Sequence, residues 1–168
     1  LARRNRLRIK PEDQDVHLMI ERLLTKRLGD LGGKIHTGRS RNDQSAVDLR
    51  LFGKRELPAV MIQTCELASG LLKHASAYED LPMMGRTHSQ PAMPSSVGLW
   101  ASAHAESLLD DLQVLKAVLD VGDKCPLGSA AGYGVPLPLD RKYTARLLGF
   151  AAPHTNVMYA GNSRGKYE

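Results

Sequence analysis

Two long stretches with helical spacing of apolar residues constrain the fold of this chain more than any other feature of its sequence. From about Asn42 to Tyr78, apolar residues recur at alternating intervals of four and three, and the same spacing returns from about Pro94 to Gly122. A helix of about thirty residues is about 45 Å long, at a rise of about 1.5 Å per residue. The sequence contains neither the alternation typical of strands nor internal repeats. It therefore predicts an all-α fold in which long antiparallel helices, joined by the segment from Asp80 to Pro91, form part of a helical bundle.

Proline and glycine residues set the expected ends and interruptions of the helices. Pro11, followed by acidic residues, is expected to open a first helix that ends at Gly29. Pro58 lies inside the first long segment and predicts a kink or a short break near Leu57. A short helix is expected from Asp140 to Leu148, after a stretch too rich in glycine and proline for regular structure.

Length and composition narrow the class of protein further. With 168 residues and 42% hydrophobic content, the chain is long enough for one ordinary domain, and we expect a single helical domain over residues 11–168. Charged residues interrupt every long apolar stretch, which argues against a membrane span and a secretory signal. Cys65 and Cys125 have no partners at metal-ligand spacing, so we expect two reduced, buried thiols in a cytoplasmic protein.

The first ten residues, 1–10, form a basic arm. Five of them are arginine or lysine, in a chain whose formal net charge is +5. Such an arm can bind nucleic acid electrostatically, and an affinity that falls steeply with salt would reveal it. A solvated, frayed terminus accounts for the same composition and is the favoured interpretation, so nucleic acid is not an expected partner.

Two polar runs separate the helical segments, His36–Gln44 and Gly85–Pro94. The first offers two guanidinium groups, hydroxyls and amides, which together can surround carboxylates with directed hydrogen bonds. The second contains His88, and an imidazole ordinarily titrates near neutral pH, where it can exchange a proton with a reacting group. Ordinary solvated loops have similar compositions. Together the runs favour acid/base chemistry on a carboxylate-rich substrate, and Asn42 or Asp43 is expected to cap the long helix that follows the first run.

Four motifs of the chain resemble those of the argininosuccinate lyase family, within the aspartase/fumarase superfamily. They are HTGRSRNDQ at 36–44, GRTHSQPAMP at 85–94, PLGSAAGYG at 126–134 and DVHLMIE at 15–21. They occur in the family's order, from about Pro11 to near the end of the chain. The resemblance implies an aspartase/fumarase-like fold and a lyase of arginine biosynthesis, which splits argininosuccinate into arginine and fumarate with no metal and no organic cofactor.

The resemblance also implies roles for individual residues. His88 matches the family's catalytic histidine, a general acid/base, and Thr87 beside it contacts the substrate. Asn42 and Arg41, with Ser40 as a further candidate, match the substrate-binding segment. In such an elimination a base removes the proton beside a carboxylate while donors stabilise the charge that develops, and an acid assists the departing nitrogen. The family further implies a homotetramer with sites shared between subunits, in which one subunit's His88 approaches another subunit's Asn42.

Three departures from the family pattern bear on activity. Arg86 and Ser89 stand where the family has an aromatic residue before Thr-His and an apolar residue after it. The flexible loop that carries the family's catalytic serine is absent, and Ser95-Ser96 does not replace it because the lysine and asparagine that follow in the family are missing. The family's N-terminal binding residues and C-terminal domain are missing as well. The chain is therefore expected to be the central portion of a longer lyase and to be inactive by itself.

Two other interpretations remain open at this point. One is a catalytically inactive helical module that uses the same scaffold for assembly or binding. The other is a sister elimination of the same superfamily, which needs the same types of residue. The retained His88, Thr87, Arg41 and Asn42 favour descent from a working enzyme, and a serine loop in the downstream coding sequence would distinguish an enzyme from an inactive module.

Overall fold

Six α-helices, two short 3-10 helices (Pro11–Asp13 and Lys34–His36) and two small sheets form the regular secondary structure of the part of the chain that the structure describes. The structure is a computed structural model that describes residues 9–167. The helices are α1 (Val16–Leu28), α2 (Asp30–Gly33), α3 (Arg41–Ala77), α4 (Val97–Gly122), α5 (Arg141–Leu147) and α6 (Val157–Asn162). The strands are β1 (Pro82–Thr87), β2 (Gln90–Ser96), β3 (Lys124–Cys125) and β4 (Ala152–Pro153). Helices dominate, which confirms the predicted all-α class.

The backbone divides into two compact units. Within the described residues, the first unit consists of residues 9–48 and 124–164, and the second of residues 49–123 and 165–167. Helix α3 contributes its first turns to the first unit and its remainder to the second. The single domain expected over residues 11–168 stays a prediction, and most of the basic arm expected over residues 1–10 lies outside the described residues.

Helices α3 and α4 pack against each other in the second unit in antiparallel orientation, as predicted. A Cβ added at Gly98, near the start of α4, would lie 2.9 Å from the Ala75 carbonyl oxygen and 2.6 Å from the Glu79 Cα, just beyond the end of α3. Farther along, the Lys54 ammonium of α3 pairs with the Asp123 carboxylate, immediately after α4. The end of α3 therefore lies beside the start of α4, and the part of α3 that begins the second unit lies beside the end of α4.

Helix α3 is continuous through Pro58, which excludes the short break predicted near Leu57, whereas the kink predicted as its alternative stays a prediction. A proline inside a helix removes one backbone donor and crowds the preceding turn. The other hydrogen bonds of this helix, which has 37 residues, remain available to hold it together. The remaining hydrogen bonds of α3 therefore outweigh the local destabilisation by Pro58.

Large apolar side chains on α3 and α4 remain exposed. Among the most exposed are Ile62, Leu67, Leu99 and Val114, with 57–64% of their surface accessible. Cys65 of α3 is exposed too, which contradicts the expectation of a buried thiol, whereas Cys125 is buried as expected. The pairing with α4 covers one side of α3, and the wide apolar face predicted from the sequence extends beyond that side.

The segment between α3 and α4 is a β-hairpin, where the sequence predicted a loop and no strands. Strands β1 and β2 pair in antiparallel orientation, with one register shift between Met84 and Arg86. All of their residues are exposed or half-buried, so no apolar alternation marks them in the sequence. Helix α4 consequently begins at Val97 rather than near Pro94, and the Ser96 hydroxyl caps it.

The core of the first unit collects buried apolar side chains from several elements. They are Met19 of α1, Ala46 and Val47 of α3, Leu127 and Phe150 of the connecting segments, Ala145 of α5 and Ala160 of α6. Helix α1 ends at Leu28, followed by Gly29 with φ +59°, in agreement with the predicted end. Its predicted start at Pro11 is wrong, because Pro11–Asp13 forms a short 3-10 helix and α1 begins at Val16, where the Asp15 side chain caps it. Helix α5 begins after Asp140, whose side chain accepts the Tyr143 N–H, and this position also agrees with the prediction.

A buried ion pair stabilises the beginning of the first unit. Asp13 is buried and accepts two hydrogen bonds from Arg22, from Nε to Oδ1 at 2.6 Å and from Nη2 to Oδ2 at 2.7 Å. The Lys10 N–H donates to the same carboxylate at 2.8 Å. The hydrogen bond from Arg22 lowers the pKa of Asp13 to about 2, and in return raises the pKa of Arg22. The pair therefore stays charged at all but strongly acidic pH.

Candidate active site

Ser40 caps α3 from the position immediately before its first residue. Its hydroxyl accepts hydrogen bonds from the Asn42 backbone N–H at 3.2 Å and from the Asn42 Nδ2 at 3.3 Å. Its own N–H donates to Asp43 Oδ1 at 2.8 Å, the reciprocal arrangement of a capping box. The predicted caps, Asn42 and Asp43, therefore lie inside the first turn, because Ser40 already supplies the capping oxygen.

Arg41 is held by side chains of the first unit. Its Nε donates to Asp15 Oδ2 at 3.0 Å, and its Nη1 donates to Gln44 Oε1 at 2.8 Å. The same Nη1 lies 3.3 Å from His36 Nδ1. Its Nη2 lies 3.7 Å from Glu21 Oε2, beyond ordinary hydrogen-bond distance. Four side chains thus orient this guanidinium group, and its predicted contact with substrate stays a prediction.

Asp43 connects the start of α3 with a glycine-rich loop, Pro126–Gly134. Its side chain is fully buried, and Oδ2 accepts the backbone N–H groups of Gly128 at 3.0 Å and Ala130 at 2.9 Å. With the Ser40 N–H on Oδ1, the carboxylate has three backbone donors. From the sequence, Asp43 was expected at most to cap a helix. The Ser-x-x-Asp spacing signals the local contact, but no local pattern signals partners that are 85 and 87 residues away.

The glycine-rich loop has a backbone that few side chains tolerate. The angle φ is +86° at Gly128, +51° at Ala130, +121° at Gly132 and +76° at Gly134. A left-handed conformation costs a residue with a side chain, here Ala130, about 1–2 kcal/mol. The Ser129 carbonyl accepts the N–H groups of Gly132 at 3.0 Å and Gly134 at 2.9 Å. Contacts inside the loop and from Asp43 together keep it in this form.

Asn42 is exposed at the edge of this cluster. Its Nδ2 is hydrogen-bonded to Ser40, and its Oδ1 lies 3.5 Å from Arg164 Nη1, at the limit of a hydrogen bond. The amide therefore has a defined orientation and an accessible surface. Such a group can donate to a carboxylate of a ligand without further rearrangement of its helix.

His88 lies at the tip of the hairpin in a strained backbone conformation. The pair Thr87↔Gln90 closes the ladder, which leaves His88 and Ser89 as a two-residue turn. The angle φ is +51° at His88 and +64° at Ser89. Positive φ at both turn residues is the feature of a type I′ turn, which favours asparagine and glycine and disfavours other residues. Backbone strain of this kind is often found at functional residues.

Arg86 and Ser89, the two departures from the family motif, contact each other at this tip. Arg86 Nη1 donates to the Ser89 carbonyl oxygen at 3.4 Å across the turn. Both residues are exposed, so this is a weak contact in water. It nevertheless places a positive charge within the hairpin, beside His88.

The imidazole of His88 and the hydroxyl of Thr87 are exposed. The structure contains no hydrogen bond or ion pair between the His88 imidazole and another of the residues 9–167. In its neutral form an imidazole accepts a proton, and in its charged form it donates one. The tip thus presents an accessible imidazole.

The four predicted site residues fall into two groups. Arg41 and Asn42 lie together at the start of α3 in the first unit, and Thr87 and His88 lie together at the hairpin tip in the second unit. The structure thus places each pair on one element. The roles of all four residues stay predictions.

Metal ligands are not clustered in residues 9–167, where no group of three or more His, Cys, Asp or Glu side chains is arranged to hold a metal ion. In the same part of the chain, no helix has both the length and the apolar character that a membrane crossing requires.

Comparison with known proteins identifies the class to which this fold and these motifs belong. A family model described as lyase matches residues 2–167. The chain therefore belongs to this family of lyases.

Within the family, the chain is similar to the argininosuccinate lyases of several bacteria. It is 52% identical over 155 residues to the argininosuccinate lyase of Phocaeicola vulgatus, covering 92% of this chain and 35% of that protein. It is 47% identical over 168 residues to that of Parabacteroides distasonis, covering 100% of this chain and 38% of that protein. The chain spans little more than a third of the length of these relatives. The resemblance to the argininosuccinate lyase family, which was inferred from the four motifs, is confirmed.

Solved structures with the same fold come from lyases as well. EDDS lyase in complex with formate matches with a TM-score of 0.83 and 28% identity, over 95% of this chain and 32% of that chain. A variant of EDDS lyase with bound fumarate matches with a TM-score of 0.81 and 30% identity, over 86% of this chain and 29% of that chain. These matches agree with the predicted helical architecture.

Proposed function

We propose that this chain is part of an enzyme that cleaves argininosuccinate into arginine and fumarate, in arginine biosynthesis. The observation that carries the proposal is the 52% identity to the argininosuccinate lyase of Phocaeicola vulgatus over 92% of this chain. The fumarate bound to a structurally similar lyase is consistent with the product. The proposed substrate is a small, carboxylate-rich molecule.

The proposed reaction is an elimination that needs only acid/base groups and hydrogen-bond donors. A base removes a proton from the carbon beside a carboxylate, and the electrons of that C–H bond form the C=C bond of fumarate. The C–N bond breaks, and the nitrogen of the departing arginine takes up a proton. We assign proton transfer to His88, whose exposed imidazole in a strained turn suits this task.

Binding of the substrate carboxylates is assigned to three other residues. Asn42 has an oriented, exposed amide, and Thr87 has an exposed hydroxyl next to His88. Arg41 is oriented by its neighbours, yet its Nη2 lies 3.7 Å from Glu21, which leaves that nitrogen able to donate to a ligand. Directed donors of this kind stabilise the negative charge that develops on the carboxylate during proton removal.

The proposed assembly is a cytoplasmic homotetramer with active sites shared between subunits. Exposed apolar side chains such as Ile62 and Leu67 on α3 and Leu99 and Val114 on α4 provide surface for helix packing between copies. Asn42 lies in the first turn of α3, and the hairpin of His88 follows its last turn. The family resemblance supports a site that combines His88 of one subunit with Asn42 of another.

A chimera provides the most direct test of the catalytic assignment. Residues 9–167 would replace the matching segment of the argininosuccinate lyase of Phocaeicola vulgatus, and fumarate formation would be followed by its ultraviolet absorbance. We expect an active tetramer that loses activity in the His88→Asn variant. A folded tetrameric chimera without activity, or one that His88→Asn leaves unaffected, would refute the proposal and favour an inactive helical module.

Two further measurements test the proposed assembly and the need of the proposed reaction for the serine loop of the family. The 168-residue chain alone is expected to associate in light scattering and to release no fumarate, because it lacks the serine loop of the family. Mixing a His88→Asn chimera with an Asn42→Ala chimera is expected to restore part of the activity, because some mixed sites receive both intact groups. If subunits exchange and no activity returns, the shared site is ruled out.

A further inference from the structure

A buried carboxylate that takes no part in the proposed chemistry organises two segments of the first unit. We propose that Asp43 is a positioning residue, which fixes the segment Ser40–Asn42 against the glycine-rich loop Pro126–Gly134. The effect of Asp43 on substrate binding rests on the proposed function of Asn42, whereas its effect on the loop does not.

The two carboxylate oxygens of Asp43 serve two different parts of the chain. Oδ1 accepts the N–H of Ser40, which caps the helix that presents Asn42. Oδ2 accepts the N–H groups of Gly128 and Ala130. Because Asp43 is fully buried, water does not replace these bonds when the carboxylate is removed. One side chain therefore determines the separation of two segments that are distant in sequence.

The backbone of the loop explains why an anion is needed at this place. Gly128 and Ala130 both have positive φ, and their N–H groups converge on one oxygen. Successive turns of this kind form concavities of N–H groups that bind anions. Here the anion is the Asp43 carboxylate, supplied by the chain itself. In Asp43→Asn, the amide oxygen can still accept hydrogen bonds, but the NH2 group cannot. The contact with either Ser40 or the loop is therefore lost.

The direct test measures amide hydrogen exchange in the full 168-residue chain by NMR. In Asp43→Asn, the amides of Gly128 and Ala130, or that of Ser40, are expected to exchange about ten- to a hundred-fold faster, because a charge-assisted hydrogen bond is lost. The matched control is Asp48→Asn, which removes an exposed carboxylate of the same helix that binds only His17 among the described residues. The control is expected to leave exchange at these amides unchanged.

A second arm measures catalysis in the chimera described above. Loss of positioning weakens substrate binding by Asn42, so Asp43→Asn is expected to raise KM about ten-fold while kcat changes less than about three-fold. Loss of folded protein alone would lower the apparent kcat at an unchanged KM. That result, with exchange at Gly128 and Ala130 as in the unmodified chain, would overturn the proposal.

A measurement on the unmodified chain covers the case in which Asp43→Asn does not fold. The amides of Gly128 and Ala130 are expected to be protected from exchange, although they lie in a loop. Unprotected amides at both positions would overturn the proposal without any variant. Protected amides in an inactive chimera would support the role of Asp43 in the loop and count against the proposed function alone.

Discussion

The start of α3 and the tip of the hairpin carry the proposed site residues, and they are built in opposite ways. At the start of α3, Arg41 and Asn42 are oriented by side chains and capping groups of the same unit, around the buried Asp43. At the tip, the turn fixes the backbone of His88, while the imidazole is exposed. The proposed binding groups are thus preorganised in one region, and the proposed proton-transfer group is exposed in the other.

This difference indicates what each region requires from outside the chain. The start of α3 has the internal hydrogen bonds that orient donors before a ligand arrives, which lowers the cost of binding. At the tip, no hydrogen bond from the other residues 9–167 holds the imidazole, so the proposed proton transfer requires an orientation that substrate or another subunit would supply. Variants at His88 and Ser89 test the tip, and variants at Gly98 and Asp13 test tightly held positions elsewhere for comparison.

The largest expected effect separates activity from stability at the tip. In the chimera, His88→Asn is expected to lower kcat/KM by about 10²–10⁴, because proton transfer is lost. In the 168-residue chain, the same change is expected to alter the free energy of unfolding by less than about 1 kcal/mol, because asparagine tolerates a left-handed turn. A large loss of stability in chemical denaturation would mean that the imidazole is supported by the fold after all.

The start of α4, directly after the hairpin, is tightly packed against the end of α3, unlike the hairpin tip. Gly98→Ala is expected to destabilise the chain by about 1–3 kcal/mol, because the added Cβ would lie 2.6 Å from the Glu79 Cα and 2.9 Å from the Ala75 carbonyl oxygen. Gly70→Ala, in a helical position with no atom within 4 Å of the added Cβ, is the control. Gly70→Ala is expected to stabilise the chain by about 0.5–1 kcal/mol. If both variants change the free energy of unfolding in the same direction in denaturant, the close approach at Gly98 is contradicted.

A smaller effect concerns the strain of the turn itself. Ser89→Gly is expected to stabilise the chain by about 0.5–1 kcal/mol, since glycine adopts the observed φ of +64° without steric cost. Ser107→Gly, in an exposed position inside α4, is expected to have the opposite sign because glycine is a poor helix former. Thermal unfolding of both variants measures the difference. A destabilising Ser89→Gly would show that the turn is not strained.

The smallest effect at neutral pH concerns the ion pair of Asp13 and Arg22 in the first unit. The folded-state pKa of Asp13, about 2, lies below its ordinary value of 3.8. Its contribution to stability is therefore fully present above about pH 4 and is lost as the pH falls toward 2. The N–H of Leu18 also lowers the pKa of Asp15, which acts in the same direction.

The variant Asp13→Asn tests this pH dependence. Between about pH 4 and pH 2, unfolding by urea is expected to vary less with pH in the variant than in the unmodified chain. The control is Asp120→Asn, which removes an exposed pair with Lys116 on α4 and is expected to leave the pH dependence unchanged. Parallel pH profiles for all three chains would contradict the assigned ionisation of Asp13.

The two long helices could be predicted from the sequence because their signals are local, whereas α2, α6 and the start of α1 at Val16 were not predicted. Apolar spacing revealed α3 and α4, and Gly29 and Asp140 marked helix ends through the chemistry of their own positions. The hairpin could not be predicted in this way, because its strands are exposed and carry no alternation. The sequence likewise left open whether α3 kinks or breaks at Pro58, since the continuity of α3 depends on the whole helix rather than on one residue.

The candidate site was predictable in part for the same reason. His88, Thr87, Arg41 and Asn42 could be named because motifs are contiguous in sequence. The contacts of Asp43 could not, because its partners lie 85 and 87 residues away. The strain at His88 was also hidden, since it arises from the pairing of two strands that the sequence did not reveal.

The left-handed turn at the hairpin tip has a consequence for protein engineering. A redesign for stability would write asparagine and glycine at positions 88 and 89, the pair that a two-residue turn of this kind prefers. The result would be a firmer hairpin without the imidazole. At this tip, optimisation of the fold and retention of the proposed chemistry select different residues, so stabilising libraries for this protein should keep His88 fixed and vary Ser89.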